Sequence, residues 1–304
     1  MTEIISTHDL SKLFGKAMRV NQVNLSIPAG VVYGFLGPNG AGKSTTLKML
    51  LGLLKPTSGT ISVFGTQIDA KNRLKVLQRV GSLIESPSYY GHLTGEENLR
   101  IFQTLRGLPE EEIGRVLHIV RLENQKTKFV KHYSLGMKQR LGLANALMGN
   151  PKLLILDEPT NGLDPAGIQE IRELILSLPK EYGMTVVVSS HLLSEIDQIA
   201  SYVGIISKGA LVFQDNMEVL RGKSQRAIAI RTMDNAHAAR VLKDKKVPVK
   251  IVDDYIYLPY MEDNVIAWYS TLLAENKVGL IRIEAHQKSL EDIFLALTGG
   301  AVSL

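Results

Sequence analysis

Apolar residues along this chain fall into two textures. Short saturated runs such as LLILD at 153–157, TVVVSS at 185–190 and YVGIIS at 202–207 have the length and content of strands buried on both faces. VVYGFL at 31–36, TISVFG after the turn PTSG at 56–59, and VGSLIE at 80–85 add three more, the last ending on an acid. Near the start, EIIS and MRVNQVNLSI read as short strands before the turn PAG. From about 92 to 150 the spacing becomes helical. Thr94 with Glu97 forms a capping box for a helix ending near Gly107. PEEEIGRVLHIVRL predicts a second helix, and Ser134 opens a third that runs through LGMKQRLGLANALM. The pattern predicts an α/β fold for residues 1–220: a parallel sheet with crossover helices, antiparallel N-terminal strands and an inserted helical lobe at about 92–150. Beyond Arg221 the texture changes to strand, helix, strand or hairpin, helix, strand, helix. This predicts a small α+β domain over 221–304.

The candidate chemistry sits where strands meet helices. Gly37 to Ser44 reads GPNGAGKS, an unbroken GxxxxGK[ST] loop, and Thr45 follows it. Such a loop turns backbone N–H groups inward around phosphates. Gly37, Gly40 and Gly42 leave no Cβ in the way, with Pro38, Asn39 and Ala41 between them. Lys43 supplies a charge for the β- and γ-phosphates, and Ser44 a hydroxyl for Mg²⁺. TTLKMLLGLL after the loop is helical, so a helix N-terminus points at the anion.

The strand KLLILDEPT delivers Asp157 and Glu158 to the edge where ligands of such sheets bind. Asp157 suits Mg²⁺, and Glu158 suits a base that positions water for attack on a γ-phosphate. His191 lies just past TVVVSS, at a third strand end of the same edge. Its imidazole is placed to hold the γ-phosphate and the attacking water. The other histidines show no zinc-like spacing, so no structural metal is expected.

Bulk properties narrow the class. The chain has 304 residues, no cysteine and a net charge of +5. It offers neither a disulfide framework nor a thiolate metal site. MTEIISTHDL lacks the parts of a signal peptide, and no apolar run reaches the ~20 residues of a membrane span. A cytoplasmic chain that serves a membrane by docking to another protein fits these facts. Lys and Arg are spread along the chain, with KDKK at 243–246 as the densest short cluster. No zinc finger, helix-turn-helix or RNA-binding aromatic motif accompanies them, so no nucleic-acid partner is expected.

Taken together, these motifs resemble those of the nucleotide-binding subunit of an ATP-binding cassette (ABC) transporter. The family's order is kept: the phosphate loop, a signature that here reads YSLGM from Tyr133 to Met137 and continues KQR, ILDEP, NGLDP with Asp164, and His191. The resemblance covers about residues 3–220. It implies a P-loop NTPase cassette that binds ATP with Mg²⁺. It also implies a homodimer that sandwiches ATP between the phosphate loop of one copy and Ser134 and Gly136 of the other. The subunit would lie on the cytoplasmic face of the membrane against integral permease subunits. Tyr133, Leu135 and Met137 depart from the usual Leu, Gly and Gln of LSGGQ, while Ser134 and Gly136 remain. Phe14 stands at the family's aromatic position for stacking on adenine.

Glu85 occupies the place where most cassettes carry a metal-contacting Gln, which makes it a candidate Mg²⁺ ligand. Its passage, ESPSYY followed by LTGEENL, is similar to exporters of the lantibiotic-immunity and bacitracin-resistance subgroup. The segment from Ser86 to Leu93 is expected to face the permease. The function implied is an ATP-hydrolysing transporter subunit that exports an antimicrobial peptide. The alternative is a non-transport ABC ATPase acting on nucleic acid or the ribosome. Repair members carry a long coiled coil and ribosomal members two cassettes, and this chain has neither.

Overall fold

The structure is a computed structural model that describes residues 2–300 apart from 86, 224, 225, 253 and 288; Ser86 therefore lies outside the described residues. It divides into two compact units, one formed by the chain to Met217 and again from Leu297, the other by Glu218–Ala296.

The first unit opens with β1 (Glu3–Phe14), β2 (Ala17–Val23) and β3 (Ser26–Pro28), then enters a central sheet at β4 (Val32–Leu36). Helix α1 (Lys43–Leu50), β5 (Ser58–Val63), β6 (Thr66–Gln67) and α2 (Arg73–Leu77) lead to β7 (Val80–Leu83). The helical lobe holds α3 (Gly95–Arg106), α4 (Glu111–Ile119) and α5 (Leu135–Leu147). The chain then returns through β8 (Leu153–Asp157), α6 (Pro165–Tyr182), β9 (Thr185–Ser190), α7 (Leu193–Ile199), β10 (Tyr202–Ser207) and β11 (Ala210–Asn216), with α8 (Met217–Gly222) following.

The central sheet runs β11-β10-β4-β9-β8-β7. All neighbours are parallel except β11, an antiparallel edge. The four inner strand runs are buried along nearly their whole length, as saturated apolar strands require. The second sheet, β2-β1-β5-β6 with β3 on β1, is antiparallel. Tyr33, Phe35, Leu47 and Leu50 are fully buried in the core that β1, β2 and β5 share with α1 and the central sheet.

Local signals in the lobe appear as the sequence predicts. Thr94 Oγ1 accepts from Glu97 N at 3.2 Å, and Thr94 N donates to Glu97 Oε2 at 2.7 Å. Gly107 ends α3 in the left-handed region. Ser134 Oγ accepts from Met137 N at 3.2 Å at the head of α5. The lobe is held close to the sheet: a Cβ on Gly81 in β7 would lie 2.0 Å from the Ala146 carbonyl of α5. Tyr133 accounts for its departure from the family's Leu. It is buried, donates its hydroxyl to Gln125 O at 2.7 Å, and packs where Gly95 has no side chain.

Several elements differ from expectation. EIIS is the start of a twelve-residue strand, and MRVNQVNLSI divides into β2 and β3. Gln22, at φ +49°, lies within β2, where the pairing with β1 shifts register. The strand at VGSLIE stops at Leu83, so Glu85 lies beyond it at φ +63°. β11 carries no saturated apolar run because its faces are only half-buried.

The second unit is β12 (Arg226–Thr232), α9 (Asn235–Asp244), β13 (Lys250–Val252), β14 (Tyr255–Pro259), α10 (Asp263–Glu275) and β15 (Leu280–Gln287), with α11 (Leu290–Thr298) closing the chain. Its sheet is antiparallel in the order β13-β14-β12-β15. This is the βαββαβ arrangement of ferredoxin-like folds. Ile228, Ile230, Ile256 and Leu258 face Ala238 and Leu242 in its own core.

Candidate active site

The phosphate-loop segment joins β4 to α1 at the carboxyl edge of the parallel strands. Gly42, at φ +112°, is the N-cap of α1, and a Cβ there would lie 2.7 Å from Arg19 O. Gly40, at φ +77°, faces open space, so it is glycine for its backbone. A Cβ on Gly37 would meet Ile206 O at 2.3 Å. Asn39 and Gly40 are exposed, Pro38, Ser44 and Thr45 half-buried, and Ala41 buried. No side chain caps α1, so its first N–H groups are open to an anion. Lys43 is only 6% exposed; its Nζ donates to Gly37 O at 2.7 Å and lies 3.3 Å from Glu158 Oε1.

The end of β8 is fixed from β9. Asp157 and Ser189 are register partners. Ser189 is fully buried, and its Oγ donates to Asp157 Oδ1 at 2.5 Å while accepting Glu158 N–H at 3.0 Å. One hydroxyl therefore sets two successive acids. Glu158 adopts φ +50°, a conformation L-residues rarely hold and one found where surroundings over-determine it. Its Oε2 meets His191 Nδ1 at 2.6 Å. A carboxylate only accepts, so Nδ1 carries the hydrogen and Nε2 is left for a ligand. Just behind, Glu195 Oε2 accepts from Ser190 Oγ at 2.9 Å and Thr160 Oγ1 at 3.0 Å, which anchors the start of α7.

Lys43, Asp157, Glu158 and His191 thus come together. A cleft of about 380 Å³ beside them is lined by Glu85, Pro87, Leu135, Lys138, Asp157 and Glu158. Glu85 reaches this cleft but is exposed and paired with Lys48 Nζ at 2.6 Å. The hydrogen bond from Lys48, reinforced by its charge, holds the Glu85 carboxyl below the usual range. Phe14, Ser134, Gly136 and Asp164 are not among the residues that line it. Phe14 is 47% exposed, so it belongs to the surface rather than the core. Ser134 is exposed at the head of α5, and Leu135 beside it is exposed too. Asp164 caps α6, accepting from Gly167 N at 3.0 Å.

The donor set can be tested against Mg²⁺. Asp157 contributes a carboxylate and Ser44 a hydroxyl, both hard oxygens. That matches an ion which takes one or two carboxylates and completes its shell with substrate phosphates and water. Among the described residues no group of three or more His, Cys, Asp or Glu is placed to hold a metal alone. The pair fits an ion that arrives with a nucleotide.

Ser189, Lys48, Thr160 and Glu195 were absent from the sequence expectations. The only signal for Ser189 was a polar ending on an otherwise apolar run, and nothing in the sequence linked Lys48 to Glu85.

The profile of the ABC transporter family matches residues 20–161. The bacitracin transport ATP-binding protein BcrA of Bacillus licheniformis is 43% identical over 304 residues, covering 99% of each chain. The lantibiotic transport ATP-binding protein SrtF of Streptococcus pyogenes is 46% identical over 211 residues, covering 69% of this chain and 90% of its own. CbiO1 from Clostridium perfringens, part of the ABC transporter complex CbiONQ, superposes with a TM-score of 0.68 at 29% identity, over 73% of this chain and 92% of its own. Among the described residues no helix is long and apolar enough to cross a membrane. With its phosphate loop, paired acids and histidine at one sheet edge, and this likeness along its whole length, the chain belongs to the ABC transporter family as an ATP-binding subunit, an ATPase.

Proposed function

We propose that two copies of this chain close on two ATP molecules and drive a separate membrane permease that exports a bacitracin-type peptide. The carrying observation is that Glu158 is held on both carboxylate oxygens, by Lys43 on one side and His191 on the other. When Lys43 moves to the phosphates, Oε1 is freed to accept a proton while His191 still holds Oε2.

The chemistry follows from these contacts. ATP enters the backbone cradle of Gly37–Ser44, and Lys43 turns its ammonium from Glu158 to the β- and γ-phosphates. Asp157 and Ser44 would hold Mg²⁺, which would supply charge compensation for the phosphates. Glu158 takes a proton from water as the water oxygen bonds to the γ-phosphorus. The bond to the β–γ bridging oxygen breaks, and ADP and phosphate result. His191 keeps Glu158 oriented through Nδ1 and offers Nε2 to the γ-phosphate. Ser134 and Gly136, with the open N-terminus of α5, seal the γ-phosphate on the partner copy. Phe14 stacks on adenine, and Asp164 sets the loop between Glu158 and α6. Glu85 would be available to the metal only if Lys48 released it. The subunit works from the cytoplasmic face, docked on its permease.

Cargo rests on the relatives. The likeness to BcrA runs through both units, whereas the SrtF alignment covers 69% of this chain. That favours bacitracin-type over lantibiotic cargo. The test is co-purification of the membrane partners, followed by susceptibility of a sensitive host that expresses the complex. Resistance to bacitracin that is lost with Glu158→Gln supports the proposal. Unchanged susceptibility to both peptide classes would overturn the cargo assignment.

A further inference from the structure

The second unit ends its sheet on an open edge. Among the described residues, β15 pairs with β12 alone, and β12 lies on one side of it. The register shifts at Ile281 and is regular from Arg282 onward. Leu280 is 37% exposed and Ile281 56%, and Arg282, Glu284 and Ala285 are exposed as well. A long edge with exposed apolar residues is a template for another strand unless something blunts it.

The charges on this edge do more than blunt it. Arg282 and Glu284 flank Ile283 and share the sheet face opposite the core, while Ile283 packs toward the core. Among the described residues neither enters a salt bridge; Arg282 has only a 3.5 Å contact to the Tyr255 hydroxyl. By contrast, Arg231 on the neighbouring strand is paired with Asp254 at 3.1 Å. Consider a second β15 laid antiparallel beside the first. Side chains alternate between faces, so a two-fold axis perpendicular to the sheet must pass through a residue, not between two. An axis at Arg282 sets Arg against Arg. An axis at Glu284 sets Glu against Glu. An axis at Ile283 sets Arg282 of each copy against Glu284 of the other, twice. Like charges directly opposite destabilise a pair and opposite charges stabilise it. Of these three registers the charges favour the one centred on Ile283.

We propose that β15 is a self-association surface: two copies of this chain join their second units edge to edge about Ile283, forming one eight-stranded sheet. The contact needs no nucleotide. It is thus separate from the ATP-dependent closure of the first units and stands or falls without it.

The full chain, free of nucleotide, is examined by sedimentation velocity at about 100 μM, where a small transient interface is populated. Reversible dimerisation is expected. Arg282→Glu should weaken it about tenfold, since two attractive pairs become repulsive, and Arg282→Glu with Glu284→Arg should restore it. The chain has no cysteine, so Ile283→Cys sets a single thiol on the axis. Oxidation should then give a covalent dimer without ATP, from a position that is only half-buried. A wild-type chain that stays monomeric would overturn the proposal. So would a charge swap that fails to restore what the single reversal removed, which would mean that the charges only guard the edge.

Discussion

Lys43 Nζ lies 3.3 Å from Glu158 Oε1 and donates to Gly37 O at 2.7 Å. In the proposed mechanism these are the cation for the phosphates and the carboxylate for the water, and here they are paired with each other. Both are largely buried, so the contact is poorly screened by solvent. On the proposed mechanism, a γ-phosphate entering the loop would compete with Glu158 for the same ammonium.

Glu158→Gln should separate binding from turnover. Losing the base is expected to lower kcat by about 10²–10⁴-fold. Losing the competing anion should tighten ATP binding, read as a lower Kd in a nucleotide titration. Equal kcat in the two proteins would remove Glu158 from its role.

Ser189→Ala should act on both acids at once. The serine is fully buried, and its hydroxyl is bonded to Asp157 and to the Glu158 backbone. The variant leaves a buried carboxylate short of a donor, at a cost of about 1–3 kcal/mol in chemical denaturation. The Mg²⁺ concentration for half-maximal ATPase activity should also rise. A variant with wild-type stability and Mg²⁺ dependence would show that the hydroxyl positions neither acid.

Glu85→Gln should weaken the Mg²⁺ dependence of nucleotide binding, as expected of a lost carboxylate ligand. Lys48→Met should strengthen it, because Lys48 Nζ, 2.6 Å from Glu85 Oε1, occupies that carboxylate. Superimposable Mg²⁺ titrations for wild type and both variants would leave Glu85 a solvated acid.

Gly95→Ala should destabilise the lobe, since the new Cβ would lie 2.2 Å from the Tyr133 hydroxyl. Overpacking of this kind costs about 1–3 kcal/mol. Adding Tyr133→Phe, which removes that oxygen, should recover part of the loss in thermal denaturation. Additive losses would mean the two positions are not in conflict.

Acid should loosen the same lobe through Glu112. The hydrogen bonds from Arg115, at 2.8 Å to both carboxylate oxygens, hold this carboxyl below its ordinary range, and Gly149 N–H assists. The folded value is the lower one, so the stabilisation is complete above the ordinary carboxylate range and is lost as pH falls through the lowered value. Glu112→Gln should be less stable than wild type at neutral pH, with the gap closing on acidification. A gap that is constant with pH would contradict this.

What the sequence disclosed was local or strongly patterned. The loop at Gly37–Ser44 and the caps at Thr94 and Ser134 are set by neighbours within a few residues, so adjacent letters suffice. The buried strands were legible because both faces are apolar. β11 was not, because half-buried faces leave no saturated run. α6 was legible only as a crossover helix without bounds; it carries Pro179 in its last turn, a residue that reads as a break. The pairings that tune the site join positions far apart in sequence. Ser189 is 32 residues from Asp157, and Glu85 is 37 from Lys48. Only the register of β8 with β9, and the chain's path beyond β7, bring them together.

The account depends most on closure of two cassettes over ATP. Sedimentation velocity of Glu158→Gln in an Arg282→Glu background, which weakens edge pairing of the second units, at a chain concentration well below that used for the edge contact, tests it directly. The account predicts one chain without nucleotide, two with saturating Mg²⁺-ATP, and one again when Ser134→Arg is added. A sedimenting mass that stays at one chain under saturating Mg²⁺-ATP would contradict it.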